Sequence, residues 1–341
     1  MNQSQPPAAG RLRTSAAGIS RRGFGASVAG AAFLAATPAF AQDTYPSRPI
    51  TIVAPFTPGG ALDLIARGVA QRLQVQMGGT AIVDNRAGAA GIIGSQYVMR
   101  AAPDGYTLLL GSTTTHGINP VLYKKPTYDP VKDFSAVSLV ATIPHVLLVS
   151  TELPIKNLQE FIAYAKAHPG MTFGSAGVGS PHHLAGEMLR TSAKLDLVHI
   201  PYKGSASALA DLMGGQINFM SVEYTAAAEQ VKAGKVRAIA VAAKERIAGL
   251  DLPTYAEQGM PDFVITAWYA IYAPARTPAD IVHRLSQEIA KGVQVPEFRD
   301  RLLSLGARPV GGTPEQLATF TKQQLELWGK VIKSSGATAD F

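Results

Sequence analysis

The 341-residue chain contains no cysteine, which excludes disulfides and thiolate metal sites. Charged residues are scarce at 16%, against 47% apolar. A chain so composed can bury a large core, and its length suits about two domains. Acidic residues are missing from positions 1–41, which hold four of the 31 basic residues. The remainder carries 27 basic against 24 acidic residues, a net of +3. That mild surplus, with no basic run, excludes a nucleic-acid footprint. Beyond position 41 no segment offers the roughly 20 apolar residues that a bilayer-spanning helix needs. Several catalytic signatures are missing too. There is no P-loop lysine pattern and no Gly-x-Ser-x-Gly elbow. Gly88-Ala89-Ala90-Gly91-Ile92-Ile93-Gly94 sets its second glycine one residue late for a dinucleotide fingerprint.

What the first 41 residues do contain is an address. Ser20-Arg21-Arg22-Gly23-Phe24 is a twin-arginine pattern, and an Ala/Gly-rich apolar run follows from Ala26 to Ala36. Ala39-Phe40-Ala41 then supplies the small-x-small site that a signal peptidase reads. An amphipathic N-terminal helix of a cytosolic protein is the rival reading. Three parts in the right order favour export to the periplasm by the twin-arginine route, with cleavage near Ala41.

Strand and helix patterns alternate from there. Strands are expected at 49–55, 81–84 and 106–111, with helices at 61–74 and from about Ile92. Leu62, Ile65, Val69 and Leu73 fall on one face of the first helix. Further strands are expected at 171–174, 197–202, 216–220 and 236–241, interleaved with helices at 158–167, 182–192 and after Ser205. Such β-loop-α alternation implies a mostly parallel sheet covered by helices. Two apolar extended stretches, 137–149 with Pro144 inside it and 267–273, read as crossings between domains. Helices at 279–291, 296–305 and 314–334 complete the chain.

Two strand-to-helix loops are rich in small and hydroxyl residues: Phe56-Thr57-Pro58-Gly59-Gly60, and Gly174-Ser175-Ala176-Gly177-Val178-Gly179-Ser180. Glycine lets backbone N–H groups approach a ligand, and the following helix points its positive end at the same spot. Loops from opposite domains could together hold two carboxylates, or one carboxylate and a polar tail. Ordinary tight βα turns are the bland alternative. Thr113, Thr114 and His116 follow a strand end, where open α/β sheets bind ligands, and either donate to a ligand or cap the next turn. His182 is either a donor at a helix start or a solvated cap residue. Trp268 and Phe56 either wall a cleft or pack in the core. Asp63 reads as a first-turn helix acid. His183 and Glu187 share a helix face but have no third metal ligand nearby. No catalytic residue, cofactor or metal is therefore expected.

Seven segments together resemble the substrate-binding receptors of tripartite tricarboxylate transporters, the Bug receptors. They are Tyr45-Pro46-Ser47-Arg48-Pro49-Ile50, Pro55-Phe56-Thr57-Pro58-Gly59-Gly60-Ala61-Leu62-Asp63, Val83-Asp84-Asn85-Arg86-Ala87-Gly88-Ala89-Ala90-Gly91, Ala102-Pro103-Asp104-Gly105-Tyr106-Thr107-Leu108, the Gly174–Ser180 loop, Pro201-Tyr202-Lys203-Gly204 and Ala273-Pro274-Ala275-Arg276-Thr277-Pro278. The resemblance implies an α/β type II periplasmic-binding fold with two domains and a two-strand hinge. On that pattern residues 42–142 and 265–341 form one domain and 143–264 the other. It implies capture of a dicarboxylate or tricarboxylate, an acidic amino acid or an aromatic acid, with one carboxylate held at Phe56, Thr57, Pro58, Gly59 and Gly60, partly through ordered waters. Ser175, Ala176, Gly177 and Ser180 close over the ligand. Tyr202, and Glu223 where an aspartate is frequent, join the candidate set. The partners implied are a small carboxylate and the transporter's membrane subunits, with the receptor acting as a monomer. An exported hydrolase using His182 or His116 with a serine, and a sensor for a membrane signalling protein, are the rival functions.

Overall fold

The computed structural model describes residues 45–247 and 250–338. The expected signal segment lies outside the described residues. So do Ala248, Gly249 and the last three residues of the chain.

The first strand, β1 (Ile50–Ala54), leads through the loop 55–60 into helix α1 (Ala61–Met77). The helix runs three residues past the expected end. Its stop is set by Gly78, which adopts φ 71° and returns its N–H to the Gln74 carbonyl. Leu62, Ile65, Ala66, Val69 and Leu73 are buried along one face, against β1 and its neighbours. Strands β2 (Ala81–Asn85) and β3 (Thr107–Ser112) lie parallel to β1 on either side, with helix α2 (Ile92–Met99) between them in sequence. A π-helical turn, Thr113–Ile118, and the short helix α3 (Asn119–Leu122) follow β3.

Strand β4 (Phe134–Ser150) is 17 residues long and changes partners partway. Its first part pairs antiparallel with the late strand β9 (Thr266–Pro274) as far as Pro144. From His145 onward it pairs with β7 (Phe219–Glu223) on one side and β8 (Val236–Val241) on the other. Strands β5 (Met171–Ser175) and β6 (Leu197–Pro201) continue the sheet beyond β7, parallel to it and to each other.

The two halves thereby repeat one pattern. Strand order is β2-β1-β3-β9-β4 in the first and β6-β5-β7-β4-β8 in the second. In each, three parallel strands are followed by an antiparallel crossing strand and a further antiparallel strand. The returning crossing is pinned beside the outgoing one, because His145 N–H donates to the Ile265 carbonyl and Ile265 N–H to that of Ala242. These are the two crossings expected at 137–149 and 267–273.

Strand β7 departs from expectation, starting three residues later than position 216 and ending at Glu223. Gly215, at φ 70°, turns the chain, and the Asn218 side chain is engaged by Thr172 N–H before the strand begins. The shift places Ser221 and Glu223 at the strand's C-terminal end, where ligand crevices form in α/β sheets.

Helices α4 (Leu158–Ala167), α5 (Pro181–Ala193), α6 (Ser205–Met213) and α7 (Tyr224–Lys232) cover the second half-sheet. Helices α8 (Ala279–Gly292) and α9 (Pro296–Ser304) return to the first, where Val282, Leu285, Phe298 and Leu302 join its core. The last helix, α10 (Pro314–Ser335), straddles both. Leu317 packs with Trp268 and Tyr272, while Trp328, Val331 and Ile332 join the core around Phe161, Phe173 and Phe219.

Candidate functional site

A cavity of about 260 Å³ opens where the C-terminal ends of β1, β3 and β7 meet the start of α5. Phe56, Thr57, Gly60, Ala61 and Leu62 line it from the first half, together with Ser112, Thr113, Thr114 and the Ala267–Tyr269 stretch of β9. Pro181 and Glu223 line it from the second. Seven expected residues thus come together: Phe56, Thr57, Gly60, Thr113, Thr114, Glu223 and Trp268.

The first wall is a donor surface. Gly60 is the N-cap of α1 and carries no side-chain cap. The first-turn amides of a helix have no carbonyl to bond within it, so those at Ala61 and Leu62 are available to an anion, with the helix dipole behind them. The loop ahead of them is braced by Asp63, which is 3% exposed. Its carboxylate accepts from Gly59 N–H, Arg67 Nε and Asn85 Nδ2, each at 3.0 Å. Asn85 Nδ2 also reaches the Phe56 carbonyl at 3.2 Å. Burial alone raises the Asp63 carboxyl, but the bonds from Arg67, Gly59 and Asn85 outweigh it and hold it below its ordinary value. The expected role of Gly59 is corrected accordingly: its N–H is spent on Asp63, and Pro58 has none to offer. The hydroxyl of Thr113 is similarly committed, accepting from Trp268 N–H at 2.9 Å. The Trp268 indole is buried against Phe320 and donates to Gln324 Oε1 at 3.0 Å, so packing is its main role.

The opposite wall is an acceptor. Glu223 sits at the end of β7 with its side chain 20% exposed. Its Oε2 accepts from His182 Nε2 at 2.9 Å, and its Oε1 lies 3.6 Å from His145 Nε2. His145 is wholly buried, with Nδ1 paired to Ser221 Oγ at 3.3 Å. The two imidazoles stack with centroids 5.5 Å apart. Burial alone raises the Glu223 carboxyl; the charges of His182 and His145 and their hydrogen bonds more than reverse this and keep it well below its ordinary value. His182 is therefore no direct lining group but the partner that holds Glu223.

The remaining expected residues lie elsewhere. His116 is fully buried behind the cavity, stacked on Tyr272 at 3.9 Å, and burial pushes it down to about 3. Ser175 is fully buried, accepts from Gly177 N–H at 3.0 Å and meets His199 Nε2 at 2.6 Å. That serine–histidine pair has no exposed nucleophile. Ala176 and Gly177 continue its loop without reaching the cavity. Ser180 caps α5 by accepting His183 N–H at 3.2 Å. Tyr202 donates to Asp211 Oδ2 at 2.7 Å and packs with the core around Leu209 and Leu212. His183 and Glu187 do share a helix face, at 3.9 Å, but Glu187 is taken by Arg190 and His183 accepts Gly179 N–H.

Sequence reasoning passed over His145, Ser221, Ser112, Pro181 and Tyr269. His145 did leave a signal, as an imidazole beside Pro144 in an otherwise apolar crossing strand. Ser221, Ser112 and Tyr269 become visible only through strand pairing, and Pro181 through the docking of α5.

Two half-sheets of identical order, joined by two adjacent crossings and sharing a cavity at their strand ends, define a two-domain periplasmic-binding fold. Residues 65–337 match the family described as the tripartite tricarboxylate transporter family receptor, TctC, and the chain belongs to that family. Protein BugT of Bordetella pertussis is 37% identical over 300 residues, covering 86% of this chain and 91% of its own. Among solved structures, R. palustris Rpa4515 with adipate superposes with a TM-score of 0.75 at 34% identity, covering 87% of this chain and 100% of the other. MatC from Rhodopseudomonas palustris with bound malate gives 0.71 at 33% identity, covering 84% and 100%. The chain is accordingly a solute-binding receptor of a periplasmic family and not an enzyme.

Proposed function

We propose that the chain captures a small organic carboxylate in the cavity between its halves and presents it to the membrane subunits of a tripartite transporter. The observation that carries this is the uncapped start of α1, whose amides form one wall of a cavity of about 260 Å³. A carboxylate placed there takes charge-assisted hydrogen bonds worth about 1.5–3 kcal/mol each, directly or through bridging water. Two or three of them, less ordering costs, support micromolar affinity, about −8 kcal/mol. The bound adipate and malate of the structural relatives fit the same class of ligand.

The lobes on this reading are residues 42–142 with 265–341, and 143–264. The change of partners along β4 at Pro144 supports that division. Because α10 packs on both cores, it acts as a shared strut rather than as part of one lobe. Ligand contacts from both walls stabilise the closed arrangement, which the transporter recognises. The receptor works as a monomer in the periplasm after cleavage near Ala41.

A thermal-shift screen of the purified protein against about a hundred carboxylates tests the reading. A ligand at a hundred times its dissociation constant adds about 2.7 kcal/mol of stability. Unchanged melting with every acid tried refutes it.

A further inference from the structure

The cavity is bipolar, with helix amides on one wall and a carboxylate on the other. Glu223 presents a carboxylate to the same space that receives an organic anion at α1. Carboxylate oxygens only accept hydrogen bonds, with about four lone-pair positions between them. His182 and His145 stand on the protein side, the first 8% exposed and the second fully buried. They supply at most two donors, one at 2.9 Å and one at the long distance of 3.6 Å. The acceptor positions that remain face the cavity.

The lining around Glu223 offers little to satisfy them. Pro181 has no N–H, Phe56 and Ala267 are apolar there, and the Trp268 indole N–H is turned away to Gln324. The Tyr269 phenol also lines the cavity, where burial and then the nearby Glu223 charge push its pKa above the ordinary value, and it is the side-chain donor coupled to Glu223 from the first wall. Acceptor positions beyond those that the two histidines and Tyr269 can serve are open to a donor on the ligand, or to water that the ligand displaces.

Resting on the reading of the α1 wall as the carboxylate subsite, we infer that the captured acid carries a hydroxyl or ammonium group that donates to Glu223, so that the ligand class is hydroxy or amino acids in preference to simple dicarboxylates.

The chemistry distinguishes these classes sharply. A donor on the ligand completes the coordination of an acceptor that is otherwise short of partners, and an ammonium group adds charge attraction. A second carboxylate set against Glu223 brings like charges together in a partly desolvated space. A methyl group in that position leaves buried acceptor positions unpaired. The ionised state of Glu223 follows from its two histidine neighbours, which oppose the effect of burial. The same three groups, His145, His182 and Glu223, also lie close enough to hold a metal ion, with ligand atoms within 4.8 Å of one another. A cation there is the competing occupant.

The test uses the purified protein and isothermal calorimetry with two matched series. They are butanoates substituted at position 4, and at position 2, with an amino, hydroxyl, methyl or carboxylate group. Expected is at least about tenfold tighter binding of the amino or hydroxyl member than of the methyl and carboxylate members in one series. Glu223→Gln, which keeps the shape and removes the charge, should erase the ammonium preference and improve the carboxylate member. Glu223→Asp should keep the preference. Pretreatment with a chelator should change nothing.

Equal or tighter binding of the methyl or carboxylate members by the native protein overturns the inference and leaves the receptor reading standing. So does an ammonium preference that survives Glu223→Gln. Binding lost on chelation and restored by a divalent cation reassigns the cluster to a metal and overturns it as well. Failure of every acid in both series and in the wider screen removes the receptor reading itself.

Discussion

Replacing Asp63 with asparagine tests whether the anion-binding wall is pre-organised by its own helix. Three donors converge on the Asp63 carboxylate at 3.0 Å, two of them, Gly59 N–H and Arg67 Nε, on the same oxygen. In Asp63→Asn one oxygen stays to accept from Asn85, while an NH2 group faces the other two donors. A lost hydrogen bond from a backbone N–H to a charged acceptor costs about 1.5–3 kcal/mol. Arg67 is half exposed, so its i,i+4 pair adds only about 0.3–0.5 kcal/mol. The expected loss is about 2–3 kcal/mol at pH 7, read as a lower urea midpoint with an unchanged m value. The sign of the pH dependence is fixed by the direction of the Asp63 shift. Its folded carboxyl lies below the ordinary value, so its contribution is complete above about pH 4 and lost as the pH falls through the folded value. The gap between native and variant proteins should therefore close in acid. Ligand affinity should fall at neutral pH, because the loop 56–60 loses its brace. A stability loss under about 0.5 kcal/mol, or a gap that is the same at pH 7 and in strong acid, would refute the reasoning.

Further outcomes follow from the packing. Gly94 lies in α2 against the start of the same loop, and a Cβ there would sit 2.9 Å from Pro55 Cα and 3.0 Å from the Arg86 carbonyl oxygen. Both neighbours are backbone and cannot swing aside, so Gly94→Ala should cost about 1–3 kcal/mol in urea denaturation. Because Pro55 precedes Phe56, the same variant should also bind carboxylates more weakly by calorimetry. His116 is neutral and buried, with its folded value at about 3 against an ordinary value of 6.5. The unfolded chain takes up a proton there that the native protein refuses, so stability falls by about 1.4 kcal/mol per pH unit below about pH 6. In His116→Gln this slope should be smaller by one proton, measured as the urea midpoint between pH 6 and 4.5. An unchanged slope would place the acid sensitivity in other groups.

The strand and helix sequence was largely legible from one chain. The short apolar runs of β1, β3 and β5, and the one-faced pattern Leu62–Ile65–Val69–Leu73 of α1, follow from burial of whole strands and from the helical period. Of the two glycine-rich loops, 56–60 lines the cavity through Phe56, Thr57 and Gly60, while 174–180 does not reach it. Both crossings were visible as apolar extended runs, 137–149 and 267–273.

What the sequence could not decide was where each polar group spends its hydrogen bonds. The sequence makes Gly59 a candidate ligand donor and leaves Thr113 between donor and cap, yet both are committed internally, to Asp63 and to Trp268 N–H. His116, in the helical turn after β3, and Ser175, the last residue of β5, have neighbours of the right composition but are fully buried. The decisive trio of His145, His182 and Glu223 comes from three separate elements, 37 to 78 residues apart. Its assembly depends on the register of β7 against β4, where His145 stands opposite Glu223. A one-residue slip would turn Glu223 to the other face of the sheet. Local sequence determines period, turn and burial, because those are properties of a few neighbouring residues. Partnership between distant side chains is set by strand pairing and helix docking, which exist only once the whole chain has folded.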